Sequence, residues 1–112
     1  MLIVNFDPSK EARNLAKHGL SLSMAAELDW DTALVWLDDR FDYGEPRQIA
    51  LAHKGDVVFS VAFVDRDGFR RVISLRRANK REIRHYAESS QASEIQDADR
   101  RGGPPDHGGG AE

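Results

Sequence analysis

The chain has 112 residues, no cysteine and a formal net charge of −3. That length suits one small domain, and the missing cysteines exclude disulfides, thiol catalysis and cysteine-type zinc sites. The longest apolar run, residues 57–64, is far short of the roughly 20 residues of a spanning helix, and the start has neither the basic nor the apolar region of a signal peptide, so neither is expected.

In chain order, residues 2–6 are β-prone and read as a short strand. Asp7-Pro8 opens a helix, with Asp as N-cap and Pro at the first helical position. Its apolar stripe is expected at Ala12, Leu15 and Ala16, and Lys17-His18-Gly19 supplies cations and a left-handed residue for its end. Ser21 or Ser23 caps a second helix that buries Leu22, Ala25 and Leu28 and ends near Trp30-Asp31. Residues 33–37 form a strand, and 38–46 a turn-rich connection whose acids Asp38, Asp39 and Asp42 read as a solvated turn. Residues 47–53 are the next strand. Residues 57–64, apolar on both faces, suit a central strand. A turn at 65–68 leads to a last strand at 69–77, and strands joined by such short turns run antiparallel. Asn79 and Glu82 form a capping box for a final helix carrying Ile83, Tyr86 and Ala87 on one face. The expected order is β-α-α-β-β-β-β-α: an α+β domain over residues 1–90, with an antiparallel sheet and the two N-terminal helices packed on one face. Residues 91–112 read as a frayed helix end and a disordered acidic tail rich in Gly and Pro.

The net charge conceals three blocks. Residues 27–45 carry −6, residues 66–86 carry +6 and residues 87–112 carry −4. A basic stretch inside a slightly acidic chain points to an anionic partner bound locally. On the last strand, strict alternation places Arg71, Ile73, Leu75 and Arg77 on one face, with Ile73 and Leu75 toward the core. Arg70, Val72, Ser74 and Arg76 take the other face. Arg76 and Arg77 end the strand just before a helix N-terminus bearing Lys80 and Arg81, a constellation suited to phosphate. The bland alternative is an arginine paired with one of the acids at 38, 39 or 42. His18, His53 and His85 are the candidate proton carriers. None has metal-ligand spacing, the acids match no calcium loop, and no phosphate-binding glycine loop or nucleophile elbow is present, so no metal or cofactor is expected.

Several segments resemble one family. Asn5-Phe6-Asp7-Pro8-Ser9-Lys10 and Asn14-Leu15-Ala16-Lys17-His18-Gly19 resemble the opening of BrnT toxins, F-x-W-D-x-x-K followed by N-x-x-K-H-G. Arg47-Gln48-Ile49-Ala50-Leu51 resembles their R-x-I-x-(L/I)-G strand. Val72 through Glu82, with Tyr86, resembles their close, I-I-S-A-R-x-A-(T/N)-x-x-E-x-x-x-Y. Phe6 stands where Trp is usual, Ala52 where Gly is usual and Leu22 where Phe is usual. The resemblance implies a RelE-like ribonuclease toxin of a type II toxin–antitoxin system that arrests translation in the bacterial cytoplasm. It implies neutralisation by a BrnA-type antitoxin with a ribbon-helix-helix domain, in a heterotetramer that binds operator DNA through the antitoxin.

Metal-free RNA cleavage needs a base for the 2′-hydroxyl, a charge stabiliser for the phosphate and an acid for the leaving oxygen. Arg76 and Arg77 suit the middle role, with His18 or His53 as proton carrier. Lys80, Arg81 and Lys17 are expected to position RNA, and Tyr86 to contact a base. The competing readings are a non-catalytic binding module using residues 66–86, or a regulatory subunit whose acidic 27–45 region docks a basic partner.

Overall fold

The computed structural model describes residues 2–39 and 44–95. Strand β1 (Val4–Asn5) precedes helix α1 (Pro8–His18), two 3-10 helices (Leu22–Glu27 and Trp30–Thr32), strands β2 (Leu34–Leu37), β3 (Gln48–Lys54), β4 (Val57–Arg66) and β5 (Phe69–Arg77), and helix α2 (Lys80–Ile95). The five strands form one sheet in the order β1-β5-β4-β3-β2. The hairpins from β2 to β5 are antiparallel as expected, but β1 joins the far edge parallel to β5, so the sheet is mixed.

Three expectations, for the second helix, α1 and β5, are corrected by the local geometry. The second helix is not α-helical. Leu22, Ala25 and Leu28 are buried as expected, yet they recur every three residues, the period of a 3-10 turn. Ser21 caps the first of these turns and Asp29 the second.

The stripe of α1 is not apolar either. Ala12, Leu15 and Ala16 are all exposed, and the buried residue of the helix is Asn14. Polar bonds hold this helix where burial was expected to.

The third correction is on β5. Ala62 pairs with Ser74 and Phe63 with Val72, which leaves Ile73 as an extra residue in a bulge. Alternation therefore breaks there. Leu75 keeps the core face, but Val72 replaces Ile73 on it. Arg70 moves to that same face, its guanidinium 4.2 Å from the Phe63 ring centre and 4.6 Å from that of Trp30.

The main core lies between the 3-10 helices and one sheet face. Leu22, Ala25 and Leu28 meet Ala50, Ala52, Phe59, Val61, Phe63, Val72 and Leu75. Trp30 closes it edge-on against Phe63, with ring centres 5.5 Å apart. From Phe59 to Val64 every residue of β4 is buried, as a central strand requires. On the opposite face α2 crosses the sheet, where its His85 ring meets Trp36 of β2 and its Tyr86 ring meets His53 of β3.

Asp38, expected in a solvated turn, is buried instead, its N–H donating to the Arg47 carbonyl at 2.7 Å and so extending the β2–β3 hairpin. Asp42 lies outside the described residues. The boundary expected at residue 90 falls within α2, and residues 96–112 of the expected tail lie outside the described residues. Among the described residues, Glu82, His85 and Tyr86 tie α2 to the sheet, and all three precede residue 90. A chain ending at Ser90 should therefore melt within about 4 °C of the full chain, the shift of less than about 1 kcal/mol. A broadened, non-cooperative melt of that chain would show that the helix end is needed.

Candidate active site

Six of the expected site residues, Lys17, His18, Arg76, Arg77, Lys80 and Arg81, lie around the end of β5. β1 covers the β5 backbone only at Arg70 and Arg71. Farther along, at Leu75, the side chain of Asn14 takes over. Its Oδ1 accepts the Leu75 N–H at 2.9 Å, and its Nδ2 donates to the Leu75 carbonyl at 2.8 Å and to the Leu20 carbonyl at 3.0 Å. The amide thus stands in for one residue of a neighbouring strand. α1 is pinned along the β5 edge, with its C-terminal Lys17 and His18 brought toward Arg76. Gly19, at φ 71°, closes the helix by donating to the Leu15 carbonyl. Burial, with the charges of Lys17 and Arg76, holds the His18 imidazole below its ordinary pKa.

Arg76 is gripped by Glu82. Nη1 donates to Oε1 and Nη2 to Oε2, both at 2.9 Å, and Nη1 also reaches the Arg77 carbonyl at 3.2 Å. Glu82 completes the capping box as well: its Oε1 accepts the Asn79 N–H at 2.9 Å, and its own N–H donates to Asn79 Oδ1 at 2.8 Å. Burial pushes the Glu82 carboxyl up, but the Arg76 and Asn79 hydrogen bonds and the charges of Arg76 and Arg81 outweigh it and hold the group below the usual carboxylate range. The acid paired with Arg76 is therefore on the next helix, not in the acidic connection.

Around this pair stand Arg77, Lys80 and Arg81, all exposed. Other members of the basic block are engaged elsewhere. Arg66 binds both oxygens of Glu45, at 2.7 and 3.0 Å, and Arg70 binds both of Asp65, at 2.6 and 2.7 Å. Arg71 reaches Asn5 Oδ1 at 3.4 Å. Among the described residues no ion pair holds Arg77, Lys80, Arg81 or Arg84, so the block's unpaired cations lie at the end of β5 and on the first two turns of α2.

A second group lies one turn farther along α2. His53 Nε2 is 3.1 Å from Asp29 Oδ2, and its Nδ1 is 3.0 Å from the Gly55 carbonyl. Both neighbours are acceptors, so each ring nitrogen already has a claimant. The Asp29 N–H returns a bond to the His53 carbonyl at 2.8 Å. The Tyr86 ring lies 6.4 Å from the His53 ring, and the Tyr86 and Thr32 hydroxyls are 3.1 Å apart.

The structure thus gathers Lys17, His18, Arg76, Arg77, Lys80 and Arg81 around the end of β5, and it couples His53 to Tyr86 separately. The sequence reading missed Asn14, Asp29 and Thr32, and it assigned Glu82 only a capping role. The one available signal was Asn14 itself, a polar residue at a helix position that the Asn14–Gly19 segment placed next to His18. Among the described residues no three of His, Asp and Glu are grouped to hold a metal ion, and no helix is long and apolar enough to cross a membrane.

The model of a family described as the ribonuclease toxin BrnT of type II toxin–antitoxin systems matches residues 6–82, which include Asn14, His18, Arg76 and Glu82. No curated protein matches the chain.

Proposed function

Since the chain belongs to the BrnT family of ribonuclease toxins of type II toxin–antitoxin systems, we propose that its toxic activity is endonucleolytic, metal-independent RNA cleavage centred on Arg76. The observation that carries this reading is the arrangement of Arg76 itself. Its outer fork is held by Glu82, while Nε–H and the second Nη2–H, which form the side-on fork, have no hydrogen-bond partner among the described residues. A guanidinium fixed on one side and open on another suits a phosphate that gains charge in the transition state. Arg77, Lys80, Arg81 and Lys17 supply a cationic track for the strand on either side. His18, rather than His53, is the proton carrier in this reading, because no hydrogen bond occupies the His18 ring among the described residues. His53 and Tyr86 then form a wall against which a base can lie.

The domain is RelE-like, it acts on cytoplasmic RNA, and a BrnA-type antitoxin with a ribbon-helix-helix domain neutralises it in a heterotetramer that binds operator DNA. The purified chain should cut RNA in excess EDTA and leave 2′,3′-cyclic phosphate and 5′-hydroxyl ends. Loss of cleavage in EDTA, restored by a divalent cation, would refute the metal-free reading. An inert chain would refute the ribonuclease reading altogether.

The pH dependence has a definite sign. A general acid works when protonated, and His18 titrates below the ordinary 6.5 in the free protein. Accordingly kcat/KM should already be falling before pH reaches 6.5 and should then lose about tenfold per further unit. His18→Ala should remove that basic limb. A limb unchanged in His18→Ala would assign the acid to another group.

A further inference from the structure

Among the described residues, the carboxylate held directly by Arg76 is that of Glu82. Resting on the ribonuclease reading above, we infer that Glu82 is the general base that takes the proton from the attacking RNA 2′-hydroxyl, with Arg76 shared between this carboxylate and the scissile phosphate. The capping box accounts for one bond to Oε1, and among the described residues Oε2 is met by Arg76 Nη2. A phosphate taken by the side-on fork uses the other hydrogen of Nη2. Two acceptors on one trigonal nitrogen, each near 2.9 Å, lie about 5 Å apart. That gap accommodates one oxygen hydrogen-bonded to the carboxylate and in contact with phosphorus. The 2′-hydroxyl, two carbon atoms from the 3′-oxygen of the same phosphodiester, belongs in that position.

The step balances without a co-reactant. The 2′-oxygen forms a bond to phosphorus and its proton passes to Glu82. The bond from phosphorus to the 5′-oxygen breaks, and that oxygen takes a proton from His18. The products are a 2′,3′-cyclic phosphate and a 5′-hydroxyl, and water returns both side chains to their starting states. Substrate also prepares the base. A bound phosphate offsets the charge of Arg76 and adds negative charge beside Glu82, and both effects raise the carboxylate's affinity for a proton just where it must accept one.

The test uses the full chain and a short oligoribonucleotide that the wild type cuts, with Glu82→Gln and Glu82→Asp beside it. Glutamine keeps an acceptor for the Asn79 N–H but cannot take a proton. Its kcat should fall about 10²- to 10⁴-fold, with KM within a few-fold, and the acidic limb of the kcat profile should vanish. A 5′-thio substrate, whose leaving group needs no acid, should rescue His18→Ala and leave Glu82→Gln slow. Glu82→Asp should keep the acidic limb at a reduced rate. A Glu82→Gln protein with the wild-type rate and limb overturns the inference while the ribonuclease reading stands; an inactive wild type overturns both. Should Glu82→Gln fail to fold, the aspartate variant decides: an unchanged rate and an unchanged limb would overturn the inference.

Discussion

Arg76→Ala should reduce kcat/KM for RNA about 10²- to 10³-fold, the usual consequence of removing a donor that meets charge developing in a transition state. The variant should also be less stable, and the two effects can be separated. Alanine leaves Glu82 with its capping bond but without its cation, in a position where the carboxylate side chain is only 11% exposed and its partner's 37%. Breaking a fully buried pair costs 3–5 kcal/mol, whereas an exposed one costs under about 1. For this part-buried pair we expect about 1–2 kcal/mol, too little to unfold the domain. Circular dichroism at assay temperature should be native, and growth arrest on expression should be lost. Arg77→Ala, which breaks no ion pair among the described residues, should lose activity with no change in melting temperature. Full cleavage by both variants with native dichroism would place the chemistry elsewhere. The pair also sets a pH dependence of stability. The folded carboxyl titrates below its unfolded value of about 4.5, so its contribution is complete above that value and is lost as pH falls through the lower folded one. In Arg76→Ala that acid-side decline should be shallower.

The largest loss of stability is expected from Asn14→Ala. The side chain serves the Leu75 N–H, the Leu75 carbonyl and the Leu20 carbonyl, and the residue is 4% exposed. Each buried group left without a partner costs about 1–3 kcal/mol, and water entering the gap left by the side chain recovers part of that. A net loss of about 2–4 kcal/mol, or more than about 8 °C in Tm, is the expected result. Asn14→Asp should be at least as damaging. A carboxylate cannot donate, so it would face two carbonyl oxygens, although it keeps the right size. Chemical denaturation of the three proteins checks the order. A Tm for Asn14→Ala within about 2 °C of wild type would mean that α1 is held by something other than this amide. Because Asn14 contributes no atom to the proposed chemistry, any folded fraction should cleave with the pH profile of the wild type.

The contrast between Asn14 and Leu22 shows what could be read from the sequence. Apolar residues announce themselves by spacing, so the central strand, the hairpins, the buried trio at 22, 25 and 28 and the capping box at Asn79 were all legible, even though the trio's period of three was taken for an α-helix. A polar side chain that replaces a strand neighbour leaves no periodic trace, because two of its three bonds go to backbone atoms 61 positions away. The same holds for Asp29 and His53, joined across the start of the second 3-10 helix. The positive block at 66–86 was visible as a total. Its division into arginines already engaged by Glu45 and Asp65 and cations left open at α2 required the positions of the acids in space. Membership of the toxin family was legible in the motifs, whereas the pairing of Arg76 with Glu82 was not, since the motif gives order along the chain and no distances.

The bulge at Ile73 divides labour along a single strand. β5 carries four arginines, at 70, 71, 76 and 77. In an unbroken strand, positions 70 and 76 would share a face, and so would 71 and 77. One extra residue between the two couples acts as a half-twist in a ribbon, delivering Arg70 to the side of Trp30 and Phe63 and Arg76 to the side of Glu82. Residues of identical type thereby come under unrelated demands, one as a flat packing surface and the other as a poised charge. Substitutions in the hydrophobic layer around Arg70 therefore meet a different set of neighbours from substitutions at the Arg76 end, although both arginines belong to one strand.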